Sequence, residues 1–252
     1  MEHITSRQNA LMTHIRKLNA SRAYRRASGE YLCDGVKLLE EALRWNAPLK
    51  TVVLSEGVDA PTLPSGVRAV RVPADVMRSI SPMETPQGAL FTVRLPDTAL
   101  PGTLSGAHYL VLDGVQDPGN VGTIIRTADA AGLDGVLLSN QCADVFSPKV
   151  LRATMGSIFR MNLRTTDDLP GELTKLREKG YSILSSQLDG TPFYEREKVA
   201  EQFALIIGNE GNGVSEQVQQ TATHRVRLPM RGGAESLNAA IAAAIMMYEL
   251  MR

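Results

Sequence analysis

Cysteine and histidine are scarce in this 252-residue sequence, and the few that occur are scattered. Cys33 and Cys142 lie far apart, and the four histidines are equally dispersed, so no metal-ligand spacing is present. We therefore expect no metal site. Two thiols at such a distance are typical of a reduced, cytoplasmic protein.

Long hydrophobic runs are also missing. No segment approaches the ~18 consecutive apolar residues of a membrane span. The N-terminus has no apolar core followed by a small-residue cleavage site, so the sequence predicts neither a membrane protein nor a secreted one.

Net charge is zero, because 27 Lys and Arg balance 27 Asp and Glu. This balance argues against binding nucleic acid by bulk charge alone. Locally, however, residues 1–26 carry six basic side chains and one acid, Glu2. Such a segment is a candidate RNA contact. The six basic residues are Arg7, Arg16, Lys17, Arg22, Arg25 and Arg26. A solvated face of an amphipathic helix explains them equally well.

Residues 1–97 alternate short helices and strands, a pattern that predicts a small α/β sandwich. The predicted helices cover 9–27, 36–45 and 73–80, and the strands cover 31–33, 50–54, 67–72 and 88–93. Within this domain, residues 1–28 are predicted to form a basic helical arm. The Pro- and Gly-containing stretch 98–107 is predicted to be a linker.

Residues 108–252 predict a second α/β domain. Its strands are expected at 109–112, 135–138, 161–163, 181–185, 203–207 and 226–230. Its helices are expected from Pro118 onwards and at 147–158, 171–179 and 237–250. In the last helix, the apolar residues that repeat on one face are Ala240, Ile241, Ala244, Ile245 and Tyr248.

The segment from Val111 to Gly132 is the most informative part of the chain. A buried-type strand is followed by a Gly-rich turn and then by apolar residues at helical spacing. Asp117 and Pro118 predict the helix start, as N-cap and first position. Asn120 and Arg126 stand out as polar residues. Six helical residues would separate their directions by roughly 240°, so they converge only if Asn120 precedes the helix.

Three strand–loop transitions, at 113–123, 208–213 and 228–238, combine glycine with uncharged polar residues. Glycine allows a backbone to approach a ligand closely. The spacing Gly208-x-x-Gly211-x-Gly213 is not the dinucleotide pattern, and the chain has no P-loop motif. A Rossmann dehydrogenase or a P-loop enzyme is therefore not expected.

Three stretches resemble the signature motifs of the SpoU (TrmH-type) RNA ribose 2′-O-methyltransferases of the SPOUT superfamily. They are DGVQDPGNVGTIIRTADAAG (113–132), LIIGNEGNGVS (205–215) and LPMRGGAESLNAAIAAAIMMYE (228–249). The front of the chain is similar to the family's L30e-like RNA-binding domain. The resemblance implies an α/β fold in which a trefoil-knotted domain with a parallel sheet follows the L30e-like domain. It further implies a homodimer formed through the C-terminal domain and S-adenosylmethionine as cofactor.

The resemblance also implies site residues. The family's polar active-site positions correspond to Asn120, Arg126, Glu210, Ser236 and Asn238. Cofactor-binding positions correspond to Ser186, Gly208, Leu228, Met230 and Leu237, three of which (Gly208, Leu228, Leu237) would hold the adenosine largely through backbone groups. The same residues would otherwise be assigned ordinary roles, as a turn glycine, core leucines and helix caps.

The implied roles leave alternatives. The arginine at position 126 is usually assigned as the base in the family, although a guanidinium gives up its proton reluctantly and could instead stabilise alkoxide or phosphate charge. Glu210 is expected to organise its loop or to pair with Arg126. Ser236 could be the N-cap of the last helix, with Asn238 in the first turn.

The two-domain layout favours structured large-subunit ribosomal RNA as the substrate. Transfer RNA is the second possibility. A non-catalytic RNA-binding assembly factor and a base methyltransferase are further alternatives, although the full set of active-site positions argues against the former.

Overall fold

The computed structural model describes residues 1–98, 104 and 106–252, which divide into two compact units. The first unit contains residues 1–97 and 144–160, and the second contains 98–143 and 161–252. The sequence-based boundaries place 144–160 in the second domain, whereas this segment packs in the first unit. Most of the linker predicted over 98–107 lies outside the described residues.

Strands and helices are numbered in chain order. The strands are β1 (Glu2–His3), β2 (Glu30–Asp34), β3 (Leu49–Ser55), β4 (Arg68–Val72), β5 (Ala89–Arg94), β6 (His108–Asp113), β7 (Gly135–Ser139), β8 (Leu163–Thr166), β9 (Ser182–Pro192), β10 (Phe203–Gly208) and β11 (His224–Arg227). The helices are α1 (Ala10–Ala20), α2 (Arg22–Ser28), α3 (Val36–Arg44), α4 (Ala74–Ile80), α5 (Pro118–Ala131), α6 (Pro148–Thr154), α7 (Leu169–Glu178), α8 (Glu216–Gln219) and α9 (Ala239–Leu250).

The first unit is built on a mixed five-stranded sheet in the order β1-β4-β3-β5-β2. Its central strands carry continuous apolar runs, such as Val52 to Leu54, which are buried. Helix α1 packs Leu11, Met12, Ile15 and Leu18 into the same core. The basic segment 1–28 is helical over most of its length and is part of the first unit, because β1 joins the sheet and the apolar face of α1 lies in the core.

Arg25 contradicts the RNA-contacting role predicted for it. The residue is only 5% exposed, and its guanidinium donates to Asp144 at 2.6 Å and to the carbonyl oxygen of Leu18 at 2.5 Å. A side chain enclosed in this way is not available to a phosphate. Arg25 instead attaches the start of the 144–160 segment to the end of α1.

The second unit is built on a six-stranded, fully parallel sheet in the order β11-β9-β10-β6-β7-β8. All six residues of β10 are buried, as expected for a central strand covered on both faces. Helix α9 packs against α5 and β10. Gly190 lets β9 pass close to β11, since a Cβ there would lie 2.6 Å from the backbone nitrogen of Val226.

The helices predicted over 9–27 and 147–158 differ from the structure. The first is divided into α1 and α2 at Ser21, whose backbone is extended. The helix expected over 147–158 ends at Thr154, because Met155 and Gly156 both adopt left-handed backbone angles, with φ of 48° and 96°. A short 3₁₀ helix, Ser157–Phe159, follows. The apolar repeat predicted on one face of α9 lies only partly in the core. Ala240, Ala243, Met246 and Met247 are buried, whereas Ile241, Ile245 and Tyr248 are exposed.

Among the described residues, no helix has the length and apolar character needed to cross a membrane. The same residues contain no group of three or more His, Cys, Asp or Glu side chains placed to hold a metal ion. Cys33 and Cys142 are buried and unpaired.

The Arg25–Asp144 pair yields a stability prediction. We expect Asp144→Asn to lower the free energy of unfolding by about 3 kcal/mol, because it leaves a buried guanidinium without its counter-charge. Asp75→Asn is the matched control, since the Arg7–Asp75 pair has side chains that are 59% and 51% exposed, and it should have little effect. Urea denaturation of both variants provides the measurement; equal losses would contradict the structural role of Arg25.

Candidate active site

The carboxyl ends of β6 and β10 lie side by side, and this brings two of the Gly-rich turns together. The strands pair in parallel over six residues, and the last pair is Gly208 with Asp113. The turn that follows β6 therefore meets the turn that follows β10 at one edge of the sheet, which is where α/β folds bind ligands.

A chain of side-chain hydrogen bonds connects three distant segments at this edge. Asn238 donates from Nδ2 to Oδ1 of Asn120 at 2.9 Å, and Asn120 donates from Nδ2 to Oε1 of Glu210 at 3.0 Å. The direction of the chain is fixed at its start, because Oδ1 of Asn238 accepts from the backbone N–H groups of Ala240 and Ile241 at the N-terminus of α9. We call the bonds Asn238–Asn120–Glu210 the amide relay.

Glu210 ends the amide relay as a pure acceptor. Besides Asn120, it accepts from the backbone N–H groups of Gln116 at 3.1 Å and Asp117 at 3.2 Å. Partial burial opposes ionisation, but the hydrogen bonds from Asn120 and the backbone outweigh this effect and hold the pKa of Glu210 below its ordinary value. These contacts connect the loop after β10 to the turn and helix start after β6, and a role of Glu210 in organising its own loop stays a prediction.

Two further residues hold the same loops, and sequence reasoning missed both. Asn209 donates to the carbonyl oxygen of Gly114 at 2.8 Å and accepts from the N–H groups of Gly211 and Asn212. Asp113 is buried and accepts from the N–H of Ser215 at 2.7 Å. The available signal was their position, since each is a polar residue at or just after the end of a buried strand.

Gly208 is required by the close packing of the turn that follows it. A Cβ at this position would lie 2.2 Å from the backbone carbon of Gly213 and 2.2 Å from the nitrogen of Val214. No side chain fits there without displacing the loop.

A cavity of 640 Å³ opens beside these loops. Its size is suitable for a nucleoside-sized ligand. All five predicted cofactor positions line it: Ser186, Gly208, Leu228, Met230 and Leu237. Three of the predicted catalytic residues, Glu210, Ser236 and Asn238, line it as well. The wall also includes charged residues that the sequence did not single out, namely Asp189, Arg227 and Glu235.

Asn120 and Arg126 do not converge within one chain. Both lie inside α5, where Asp117 is the N-cap and accepts from the N–H of Asn120 at 2.8 Å, as predicted. Their directions therefore differ by roughly 240°. Asn120 is buried whereas Arg126 is exposed, and neither lines the cavity. The pairing of Arg126 with Glu210, one of two expectations, does not occur between described residues of this chain.

The N-cap of α9 is Asn238 and not Ser236. Capping explains why Asn238 is needed for the helix start, whereas Ser236 precedes the helix and lines the cavity. The alternative in which Ser236 is merely a cap is therefore wrong.

The remaining basic residues of the first 26 have mixed surroundings. Arg7 pairs with Asp75 at 2.8 Å, Arg16 donates to the carbonyl oxygen of Arg7 at 2.7 Å, and Lys17 lies over the ring of Tyr24. Arg7 is exposed, but both its Nε and its Nη2 already donate to the carboxylate of Asp75. Arg26 is exposed and Arg22 is half-buried.

Comparison with known proteins adds family information to this geometry. Residues 107–248 match the model of the SpoU rRNA Methylase family, and residues 9–90 match the MRM3-like substrate binding domain. The chain is 35% identical over 251 residues to the 23S rRNA (guanosine(2553)-2′-O)-methyltransferase RlmP of Bacillus subtilis, with 99% of each protein covered.

Solved structures agree with the sequence relatives. An AdoMet-bound rRNA methyltransferase from Sinorhizobium meliloti has a TM-score of 0.86 at 32% identity, covering 99% of this chain and 97% of its own. The SpoU methyltransferase AviRb from Streptomyces viridochromogenes, in complex with AdoMet, has a TM-score of 0.84 at 27% identity, covering 97% of both chains. The implied α/β fold, with a parallel sheet in the C-terminal part and a smaller α/β domain before it, is confirmed, and the chain belongs to the SpoU rRNA methylase family.

Proposed function

We propose that this protein is an S-adenosylmethionine-dependent methyltransferase that modifies a ribose 2′-hydroxyl in large-subunit ribosomal RNA. The observation that carries the proposal is that one cavity gathers all five predicted cofactor positions together with Glu210, Ser236 and Asn238. Two relatives that align over nearly the whole chain, from Bacillus subtilis and Sinorhizobium meliloti, are named as rRNA methyltransferases. Both units of the chain are included in those alignments, which favours ribosomal over transfer RNA. A ribosomal RNA substrate also suits a cytoplasmic enzyme.

The cavity fits the cofactor on its own chemistry. Its apolar wall, which includes Ile207, Leu228 and Leu237, suits an adenine ring, and its polar wall includes backbone groups of the loop after Gly208. When bound, the cofactor supplies a methyl group on a positively charged sulfur. The trefoil knot typical of this family would hold such a ligand in a bent form, and we include that knot in the proposal.

The residues of the amide relay act as positioning residues. Both amide heavy atoms of Asn120 are already engaged, one accepting from Asn238 and one donating to Glu210. Glu210 is a poor proton acceptor, because the three donors that surround it stabilise its ionised form. The relay therefore holds the N-termini of α5 and α9 and the loop after β10 in one arrangement around the cavity.

Arg126 is the remaining charged candidate for the reaction, and we assign it to the site of a second subunit. Within its own chain it points away from Asn120 and does not line the cavity. Helix α9, which packs against α5, exposes the apolar side chains of Ile241, Ile245 and Tyr248. A second copy of the chain would cover that stripe, and a homodimer would then bring Arg126 of one subunit to the cavity of the other. There it would stabilise phosphate and developing alkoxide charge.

The first test addresses the function itself. Purified protein should transfer methyl groups from labelled S-adenosylmethionine to a large-subunit rRNA transcript and render one phosphodiester resistant to alkaline cleavage, since that cleavage needs a free 2′-hydroxyl. We expect Gly208→Ala to weaken cofactor binding at least tenfold in calorimetry, because its Cβ displaces the loop. Gly232→Ala is the control, as nothing lies within 4 Å of a Cβ there. Methylation on a base, or no cofactor binding by the natural protein, would refute the proposal.

The second test addresses the homodimer. The variants Arg126→Ala and Gly208→Ala should each be inactive alone. The cofactor affinity of Arg126→Ala should nevertheless stay within a few-fold of that of the natural protein. Mixed and reassembled, they should regain about a quarter of the natural activity, since half of the random dimers then hold one complete site. If Arg126 served its own chain, mixing would restore nothing. Sedimentation of each sample shows whether dimers formed, and Arg126→Ala reassembled with itself is the control.

The third test addresses the amide relay. Asn120→Asp places a second carboxylate beside Glu210, where Nδ2 now lies 3.0 Å from Oε1. We expect it to lower the free energy of unfolding by about 2 kcal/mol near neutral pH, because the two charges repel and a donor is lost. Glu210→Gln alone should also lower stability. The carboxylate accepts three hydrogen bonds on two oxygens, whereas the glutamine amide has one acceptor oxygen and an NH2 group that cannot accept.

In the Asn120→Asp background, however, Glu210→Gln should restore stability, since it supplies a donor and removes one charge. Additive losses in this double-mutant cycle would contradict the relay.

The lowered pKa of Glu210 in the folded state also predicts how stability depends on pH. Its stabilising contribution is complete above its ordinary value of 4.5 and is lost as pH falls through the lower folded value. Glu210→Gln should abolish this acid-dependent loss.

A further inference from the structure

The single tryptophan of the chain lies on the surface of the first unit. Trp45 follows the last residue of α3 and is 47% exposed. The guanidinium of Arg160 lies over its ring, 5.3 Å from the ring centre. Arg44 and Met155 are also exposed, and we call these four residues the Trp45 patch. An aromatic side chain of this size is usually buried, so its exposure beside two arginines calls for an explanation.

Glu41 holds the patch in a fixed arrangement. It lies 3.2 Å from Nη1 of Arg160 and 3.6 Å from Nη1 of Arg44. Gly156 packs so closely that a Cβ there would lie 2.9 Å from the side chain of Glu41. The end of α3 and the 155–160 segment are thus joined through one carboxylate. The patch is preformed, and its two arginines share the single carboxylate of Glu41.

We infer that the Trp45 patch is a contact site for an unpaired base of the RNA substrate, an inference that rests on the proposed function. Unpaired RNA bases stack on aromatic rings and on guanidinium planes, and arginines attract the flanking phosphates. The excess positive charge favours a polyanion and disfavours a second copy of the same patch. Arg44 and Trp45 also lie within residues 9–90, the part that matches a substrate-binding domain.

The unique tryptophan makes the inference directly measurable. The natural protein is titrated with an unmodified in vitro transcript of large-subunit rRNA, while tryptophan emission and RNA retention on filters are followed in parallel. Stacking should quench the emission with the same midpoint as RNA binding. A parallel titration of free N-acetyltryptophanamide with the same RNA corrects the emission for light that the RNA absorbs. RNA binding without quenching overturns the Trp45 site but leaves the proposed function standing, whereas no RNA binding at all defeats both.

Substitution separates an RNA contact from a structural role. Trp45→Ala should weaken RNA binding about tenfold, whereas Trp45→Phe should retain most of the affinity. Tyr194→Ala is the control, because Tyr194 is an exposed aromatic residue of the second unit. Cofactor affinity should not change in any variant. A lower melting temperature with unchanged RNA affinity would show that Trp45 only fixes the 155–160 segment. If Trp45→Ala fails to fold, the quenching of the natural protein decides.

Discussion

The amide relay is the interaction on which the rest of the site depends. It connects Asn238, Asn120 and Glu210, which come from three segments that are widely separated in the sequence. Because Asn238 is fixed as the N-cap of α9, the amide of Asn120 has only one orientation that satisfies both of its neighbours. A chain with a defined direction must end on a pure acceptor, and only a carboxylate at position 210 serves all three donors.

Parallel pairing explains how this relay can form at all. Strands β6 and β10 end in register at Asp113 and Gly208, so the turns that follow begin at the same level. The absence of a side chain at Gly208 then lets its loop fold back tightly. Backbone geometry thus places the loops within reach, and the side-chain bonds select one arrangement among those that the loops could adopt.

Sequence patterns predicted local features well and relations between segments less well. The start of α5 at Asp117 and Pro118 was correct, because capping depends on neighbouring residues. The burial of Arg25 could not be foreseen, since its partner Asp144 is distant in the chain and belongs to a segment expected in the other domain. Periodicity also left open which face of α9 meets the core, because this helix is apolar on several sides. The predicted cofactor positions came from the family resemblance, because a site that binds through backbone groups would leave no side-chain pattern.

The charge at the end of the relay has a consequence for the RNA. With its pKa held low, Glu210 is ionised at neutral pH and contributes negative charge to a wall that also carries Asp189 and Glu235. Such a wall favours a positively charged cofactor, but it repels the phosphates of an approaching RNA strand. Arg227 is the only basic side chain among the described residues that line the cavity, and its Nε is already bonded to the carbonyl oxygen of Gly190. RNA binding next to this wall would therefore be favoured by a further cation. In the proposed homodimer, Arg126 of the second subunit would supply that positive charge.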